Sequence, residues 1–282
     1  MSTTISGTAM PATTTPATST SLYVRDSATM VRRSVRHILR YPSMTIMLVG
    51  MPIVFLLLFV FVFGQTLGAG IGGAAAGRSA YADYVTPGIL LITVAAAAQG
   101  TAISVAMDMT AGLIARFRTM PIARASVLNG HAVGSFLQTI VSLVAVAAVA
   151  VAVGFRPKAG PVGWLGAAGV LALVTLALVW LSIALGLVAK SVETASNLPM
   201  FLVLLPFFGS GFVPTDSMPT ALRWFAEYQP FTPVTEAVRG LLIGTTDGTT
   251  LGIAIAWGVG ITVAAKLWAM RLFARRAIPA TA

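Results

Sequence analysis

The chain has 282 residues, of which 57% are hydrophobic and only 9% are charged. A soluble domain carries about 25% charged residues, so this chain cannot cover a water-facing surface and is predicted to lie in a lipid bilayer. The absence of cysteine excludes disulfides, thiolate catalysis and cysteine-based metal sites. The net charge of +10 does not indicate nucleic-acid binding, because the basic residues lie at the ends of apolar runs and form no single patch.

Two segments precede the first apolar run. Residues 1–21 are rich in Ser, Thr, Ala and Pro and are predicted to be a disordered cytosolic tail. Residues 22–43 are predicted to form an amphipathic helix in the headgroup region; the alternative is a simple topogenic cluster of charge. An apolar and a basic stripe of helical period favour the helix: Val31, Val35, Ile38 and Leu39, beside Arg32, Arg36 and Arg40.

Residues 44–282 are predicted to form one membrane domain with six transmembrane helices. A helix needs roughly 20 residues to cross the hydrocarbon core, and six apolar runs are close to or above this length. The fifth run is short and contains Pro206, Gly209 and Gly211, so it is expected to bend or end early. The predicted spans are Met44–Gly64, Tyr84–Met107, Ala132–Gly154, Val162–Ala189, Leu198–Val213 and Leu251–Met270.

The distribution of Lys and Arg predicts the orientation of this domain. With the N-terminus inside, most of the 18 basic residues border the cytoplasm, as the positive-inside rule requires. Both termini are therefore predicted to be cytoplasmic in a multi-pass protein of the cell membrane. Only five basic residues are then external: Arg78, Arg156, Lys158, Arg223 and Arg239.

A short basic segment at residues 108–128 separates two of the predicted spans. Phe117 lies between Arg116 and Arg118, and Pro121 interrupts the helical pattern before Arg124. An aromatic residue flanked by arginines is typical of binding hot spots, so we expect a short helix that docks in a groove of a cytosolic protein. The alternative is a positive-inside anchor with no binding role.

The segment at residues 209–244 is too polar and too rich in proline to be a span. Pro219 is predicted to start a short helix that continues to Tyr228 and buries Leu222, Trp224 and Phe225. Thr232 and Pro233 predict the N-cap and first turn of a second helix, in which Glu236 and Arg239 can pair. These helices predict a re-entrant hairpin between spans five and six; the alternative is an ordinary extracellular loop with interfacial aromatic residues.

Residues for catalysis or ion coupling are lacking in the sequence. The acidic residues lie in loops or at span ends, whereas ion-coupled carriers usually need a carboxylate within the membrane. His37 and His131 are isolated in sequence, which disfavours a metal site and a membrane hydrolase. The chain is therefore expected not to be an enzyme, and any uphill transport would take its energy from another chain.

Two groups of residues resemble permeases of the ABC-transporter type-2 family, in the daunorubicin/doxorubicin resistance branch. One group is Asp108–Gly112 with Arg116–Arg124; the other is Phe212–Pro214, Met218-Pro219, Gln229–Thr235 and Ala237–Gly240. The resemblance implies a coupling helix between Gly112 and Arg124 and an outer gate between Met218 and Leu242. It assigns Gly112, Arg116, Phe117, Arg118, Pro121 and Arg124 to coupling, and Met218, Pro219, Trp224, Pro230, Pro233, Glu236 and Arg239 to the gate.

The resemblance also implies the partners. A second permease copy, as a homodimer, and cytosolic ATPase subunits that bind ATP and magnesium are expected, with no cofactor in this chain. The nearly uncharged spans and the aromatic residues of the hairpin favour export of a hydrophobic or amphipathic compound, either a drug or antibiotic or a lipid. The alternative from another class is a non-transporting membrane scaffold or assembly factor.

Overall fold

The computed structural model describes residues 42–72, 77–110 and 124–276, and this part of the chain is helical, as predicted. The predicted tail and nearly all of the interfacial helix lie outside the described residues. A π-helical turn, Leu58–Phe63, joins α1 to α2, and two 3-10 turns cover Leu205–Phe208 and Thr215–Ser217. The helices are α1 (Pro42–Leu57), α2 (Gly64–Gly72), α3 (Gly77–Thr110), α4 (Arg124–Val153), α5 (Pro161–Val188), α6 (Val192–Asn197), α7 (Met200–Leu204), α8 (Thr220–Tyr228), α9 (Phe231–Ile243) and α10 (Gly248–Arg276).

Five helical stretches are long and apolar enough to cross a membrane, which confirms a multi-pass membrane protein. Each has at least 23 residues, and about 20 are needed for ~30 Å of hydrocarbon. They correspond to the first four predicted spans and the last. Their ranges are Leu48–Gly70, Gly77–Thr110, Leu128–Val153, Pro161–Val188 and Gly248–Ala274.

The predicted fifth span is an interrupted apolar stretch rather than one helix. Pro199 separates α6 from α7, and Pro206 lies in the 3-10 turn that follows. Proline lacks the N–H that continues a helix and clashes with the preceding turn, so the helical path is broken twice. The whole helical part, Val192–Phe208, is shorter than the five spans.

Helices α3 and α5 occupy the centre of the bundle. Helix α3 packs against α1, α2, α4, α5, α6, α7 and α9, while α5 packs against α3, α4, α9 and α10. The two helices cross closely at Gly186, which has no side chain. A Cβ added there would lie only 2.6 Å from the carbonyl oxygen of Ala102. Small residues of this kind allow the close packing that holds helices together in lipid.

Polar side-chain contacts join segments of the chain at both ends of the bundle. At the hairpin end, which carries residues 209–247, Ser79 Oγ donates to the carbonyl of Gly154 at 3.2 Å and the Arg156 N–H donates to Asp83 at 2.7 Å. At the opposite end, the basic end, α3 and α4 border residues 111–123. There His131 Nε2 lies 3.0 Å from Asp108 Oδ2, so this histidine, isolated in the sequence, has a carboxylate beside it.

Candidate functional site at the helical hairpin

Helices α8 and α9 make up the segment for which a re-entrant hairpin was predicted, and we refer to the two helices as the hairpin. Pro219 precedes α8, and the helix ends at Tyr228, as the sequence predicted. Helix α9 packs against α3, α5 and α10, so it is embedded among the long helices. Its C-terminus is closed by Gly244 at a φ of +88°, a left-handed conformation that glycine adopts without strain. The second helix of the hairpin is therefore part of the bundle and is not an extended surface loop.

The predicted N-cap of the second helix was wrong. Helix α9 starts at Phe231, with Pro230 at the N-cap position and no side-chain capping bond. Thr232 lies within the first turn, and its Oγ1 accepts a hydrogen bond from the Ser210 N–H at 3.3 Å. The Thr232 hydroxyl is therefore used by the chain that enters the hairpin rather than by its own helix.

The predicted burial of the aromatic residues of α8 was also wrong. Ala226 is the buried residue of this helix, whereas the Trp224 side chain is 66% exposed and Phe225 and Leu222 are exposed as well. The Trp224 and Tyr228 rings pack on each other with centroids 5.3 Å apart. Helix α8 makes few contacts with the rest of the described chain, so both rings are exposed.

Arg239 does not form the predicted ion pair with Glu236. Glu236 is exposed, and none of the ion pairs within 4.0 Å in the described part of the chain includes it. Arg239 Nη2 donates to the Ser210 carbonyl at 2.6 Å and to the Tyr84 carbonyl at 3.2 Å, and Nε donates to the same Tyr84 oxygen at 3.3 Å. The guanidinium lies 3.8 Å from the centroid of the Tyr84 ring. Backbone carbonyls and a cation–π contact thus replace the carboxylate.

The chain leaves the interrupted fifth segment through residues Gly209–Val213, which lead to the hairpin. We refer to these residues as the exit loop. Besides the two bonds of Ser210, the Tyr81 hydroxyl donates to the Phe212 carbonyl at 3.3 Å. Gln229 Nε2 donates to the Leu205 carbonyl at 3.1 Å, just before the loop. The exit loop is therefore fastened to both α3 and α9.

Phenylalanine rings fill the space between the exit loop and the first span. The Phe207 and Phe212 rings are stacked with centroids 4.8 Å apart, and Phe59 lies 4.7 Å from Phe212. Phe55 contacts Phe207 edge-on at 5.6 Å. Aromatic pairs of this geometry contribute beyond their buried area, so they give the exit loop a rigid apolar side.

The seven predicted gate residues do not converge on one interior site in this chain. Pro233 is buried, Arg239 is partly buried against α3, and Pro230 lines an apolar crevice between α5, α9 and α10. The remaining residues lie at the surface or its edge: Met218, Pro219, Trp224 and Glu236. The structure therefore divides these residues between a packed helix, α9, and a peripheral helix, α8.

Sequence reasoning missed the residues that fasten the exit loop. Tyr84, Ser210 and Gln229 have no local pattern that distinguishes them from ordinary residues of a span or a loop. Their roles come from contacts across 22 to 155 positions in the chain. The one available signal was Arg239, a basic residue in a mostly apolar helix, which must find polar partners when it is packed against a bundle.

The coupling residues Gly112, Arg116, Phe117, Arg118 and Pro121 lie outside the described residues. Arg124 is the first residue of α4. The coupling role of this segment stays a prediction.

Comparisons with known proteins place the hairpin and the bundle in a family. The model of the family described as ABC-2 type transporter matches residues 26–243, which include α1 to α9. The chain belongs to the ABC-2 type transporter family. The matched region ends at the last residue of α9, so it contains the exit loop and the whole hairpin.

Similar proteins of this family are named as drug-resistance permeases. The daunorubicin resistance ABC transporter permease protein DrrB1 of Streptomyces coeruleorubidus is 29% identical over 255 residues, which cover 87% of each chain. A protein of Mycobacterium tuberculosis named "Probable doxorubicin resistance ABC transporter permease protein DrrC" is 26% identical over 176 residues, 61% of this chain and 64% of the relative. The resemblance to this branch of ABC-2 permeases is confirmed.

Proposed function

We propose that this chain is the permease subunit of an ATP-driven ABC exporter that moves hydrophobic or amphipathic compounds out of the cell. The observation that carries the proposal is the ABC-2 type transporter match over residues 26–243. The drug-resistance permeases that align with most of the chain support it. The family membership disfavours the alternative of a non-transporting scaffold.

ATP hydrolysis is assigned to a separate cytosolic subunit. The ABC-2 relatives are named as permease proteins, and energy for export therefore has to reach this chain through an interface. We assign that interface to the segment from Gly112 to Arg124, which follows α3 and ends at the first residue of α4. Its arginines and those near the chain termini support a cytoplasmic location for the basic end and for both termini.

A sixth crossing by the interrupted segment completes the proposed topology. Ala195 packs in one cluster with Ala106, while Phe212, at the far end of the segment, accepts a bond from Tyr81. Ala106 and Tyr81 are about 37 Å apart along α3 at a rise of 1.5 Å per residue, which exceeds the ~30 Å hydrocarbon core. This distance supports a segment that crosses the membrane despite its breaks, with α8 and α9 as a re-entrant hairpin on the outer side.

The exposed apolar surfaces support a permease dimer embedded in lipid. Helices α1, α4 and α10 and the π-helical turn after α1 leave many large apolar side chains uncovered, among them Phe61, Val144 and Trp257. We propose that a second copy covers part of this surface and that lipid covers the remainder. A path between two copies would then be lined by apolar side chains, which suits an amphipathic substrate better than a hydrophilic ion.

Efflux measurements test the proposed activity. Cells that carry this chain with its ATPase are compared with cells that carry the ATPase alone, using an anthracycline, a fluorescent lipid and a sugar. Export of the anthracycline or the lipid only when the chain is present supports the proposal. Export of the sugar alone, or of none of the three, would contradict it, and the second result would favour the scaffold.

The proposed interface with the ATPase is tested by Phe117→Ala. Loss of an aromatic anchor at a hot spot costs roughly 2 kcal/mol or more, so we expect weaker co-purification of the ATPase and lower transport at normal membrane insertion. Phe155→Ala is not a suitable control because Phe155 is buried. Phe201→Ala is the matched control, since Phe201 is 73% exposed on α7, far along the chain from this segment. Unchanged co-purification in Phe117→Ala would leave the segment with only an anchoring role.

A further inference from the structure

Ser210 holds the exit loop through both of its backbone polar groups. Its N–H donates to Thr232 Oγ1 at 3.3 Å and its carbonyl accepts from Arg239 Nη2 at 2.6 Å. Both partners belong to α9, whereas Arg239 also donates to Tyr84 of α3. One side chain, Arg239, thus connects the exit loop, the hairpin and a central helix.

The contacts of Arg239 are suited to a bond that breaks and re-forms. Its charge is partly buried and bound to carbonyls and a ring, and no carboxylate lies within 4.0 Å among the described residues. Glu236 precedes it by three positions on the exposed side of α9, a spacing at which opposite charges on a helix can pair. Arg239 therefore has a second partner available if Ser210 moves away.

The observed arrangement of the exit loop leaves two buried polar atoms without hydrogen bonds. Ser210 Oγ and Gln229 Oε1 have no partner among the described residues, although Ser210 is 1% and Gln229 is 5% exposed. A buried polar atom without a partner is costly, so both atoms favour an arrangement in which they meet water or another polar group. The loop is held by specific bonds against this tendency to open.

We propose that Arg239 is the positioning residue of a latch on the exit loop. In the latched state it ties Ser210 to α3. Release of the Ser210 carbonyl, with transfer of Arg239 toward Glu236, frees the exit loop and lets the hairpin move so that substrate can leave. The role in export rests on the proposed function, whereas the latch itself is a property of this chain alone.

A single engineered cysteine reports the state of the latch. The chain contains no cysteine, so Ser210→Cys introduces its only thiol. The replaced hydroxyl makes no hydrogen bond in the described structure, and the residue is buried. In the purified full-length chain, a water-soluble maleimide is therefore expected to react slowly with this thiol while the loop is latched.

Variants of the latch are combined with Ser210→Cys. Arg239→Gln removes a charge-assisted hydrogen bond and is expected to raise the labelling rate by about tenfold or more. Arg239→Lys keeps the charge but not the planar fork, so it is expected to give an intermediate rate. Thr232→Val removes the acceptor for the Ser210 N–H without touching Arg239 and is expected to accelerate labelling as well.

Arg223→Gln is the matched control for loss of a hairpin arginine. Arg223 lies on α8, where it pairs with Asp216 at 2.8 Å and Glu227 at 2.6 Å and makes no described contact with the exit loop. Its removal is expected to leave the labelling rate within about twofold of the Ser210→Cys parent, since exposed ion pairs contribute little. Equal acceleration by Arg223→Gln and Arg239→Gln would indicate general loosening of the hairpin and overturn the latch.

The export step is measured separately with Glu236→Gln. This change removes the negative charge that would attract Arg239 and is expected to lower export several-fold while slow labelling of the engineered thiol persists. Labelling at the parent rate in Arg239→Gln, Arg239→Lys and Thr232→Val would overturn the latch. Absence of export by the unmodified chain with its ATPase would instead contradict the proposed function and leave the labelling result to decide the latch. Full export by Glu236→Gln would overturn the transfer of Arg239 toward Glu236.

Discussion

Helices α4 and α5 are both long and strongly apolar, yet they occupy opposite positions in the bundle. In the most apolar stretch of α5, 72% of the residues are buried inside the chain, and the same share is buried in α3. In α4 only 28% are buried. The first and last spans resemble α4, with 28% and 22% buried. Apolar composition therefore shows that a helix belongs in the membrane and does not show whether protein or lipid surrounds it.

Glycines of the two central helices allow other backbones to approach them closely. A Cβ at Gly163 of α5 would lie 2.5 Å from the Leu241 carbonyl oxygen, and one at Gly88 of α3 would lie 2.7 Å from that of Gly211. Gly260 of α10 has open space around it. Since lipid tails are as apolar as side chains, packing rather than the hydrophobic effect holds these helices together.

The largest expected effect comes from filling the contact between the central helices. Gly186→Ala places a Cβ 2.6 Å from the Ala102 carbonyl oxygen and 3.0 Å from the Val105 Cβ. Overpacking of this kind typically costs about 1–3 kcal/mol, so we expect a lower melting temperature and a lower yield of monodisperse protein in detergent. Thermal unfolding of the purified chain measures the change.

Gly169→Ala on the same helix is the control with the opposite expected sign. A Cβ at Gly169 meets nothing within 4 Å, so only the helix propensity changes, which favours Ala over Gly by about 1 kcal/mol. Equal effects of the two substitutions would show that close contact does not select α5 for the centre.

Much of this fold could be predicted from the sequence because span length and helix breaks are local properties. The first four predicted spans and the last one are long helices in the structure. The sequence also predicted that the run with Pro206 would bend or end early, and a 3-10 turn is found there. It also located α8 after Pro219. Each of these predictions depends on residues within one helical segment.

The incorrect details depend on contacts that no local pattern encodes. Thr232 binds the backbone of the exit loop and does not cap its own helix. Arg239 binds carbonyls of two other elements and does not pair with Glu236. Trp224 belongs to an amphipathic helix, but the pattern identifies an apolar face and not what covers it. Long-range partners decide the bonds of Thr232 and Arg239, and the exposure of Trp224 depends on how α8 packs against the rest of the chain.

A moderate effect is expected from a polar contact of the central helix α3. The Gln99 amide donates to the Ser196 carbonyl at 2.8 Å and joins α3 to α6. Hydrogen bonds between membrane helices contribute about 0.6 kcal/mol on average and at most ~1.7 kcal/mol, so Gln99→Leu should destabilise the chain by about this amount. Denaturant titration in mixed micelles, followed by tryptophan fluorescence, measures the loss.

Gln138→Leu on the peripheral helix α4 tests whether the position of the amide matters. The Gln138 side chain is partly buried and has no hydrogen-bond partner among the described residues. We expect this change to be neutral or slightly stabilising, because it removes an unpaired amide from an apolar face. A loss as large as that of Gln99→Leu would remove the distinction between the two helices.

A smaller effect is expected at a contact between a peripheral and a central helix. Lys266 of α10 lies with its Nζ 5.5 Å from the ring centroid of Trp180, which is buried in α5. Such a contact at an exposed cation contributes about 0.5–1 kcal/mol, so Lys266→Met should lower stability slightly. Lys266→Arg retains the interaction and should unfold at the wild-type temperature; a loss equal to that of Lys266→Met would assign the effect to side-chain packing.

The smallest expected effect is a pH dependence at the start of the peripheral helix α10. The Asp247 carboxylate accepts hydrogen bonds from the Thr250 hydroxyl at 2.8 Å, the Thr250 N–H at 2.9 Å and the Thr249 N–H at 3.3 Å. These bonds lower the pKa of Asp247 below its ordinary value, with the Thr250 side chain as the largest cause. Since the folded-state pKa is depressed, the carboxylate stabilises the chain above the unfolded pKa of about 3.9 and loses this contribution as the pH falls through the folded value.

Asp247→Asn keeps a capping oxygen but does not titrate. The difference in melting temperature between wild type and Asp247→Asn should therefore be constant from neutral pH to about pH 5 and shrink in more acidic solution. A difference that persists unchanged to about pH 3, below the unfolded pKa, would show that the start of α10 is held by packing, as the central helices are, and not by its cap.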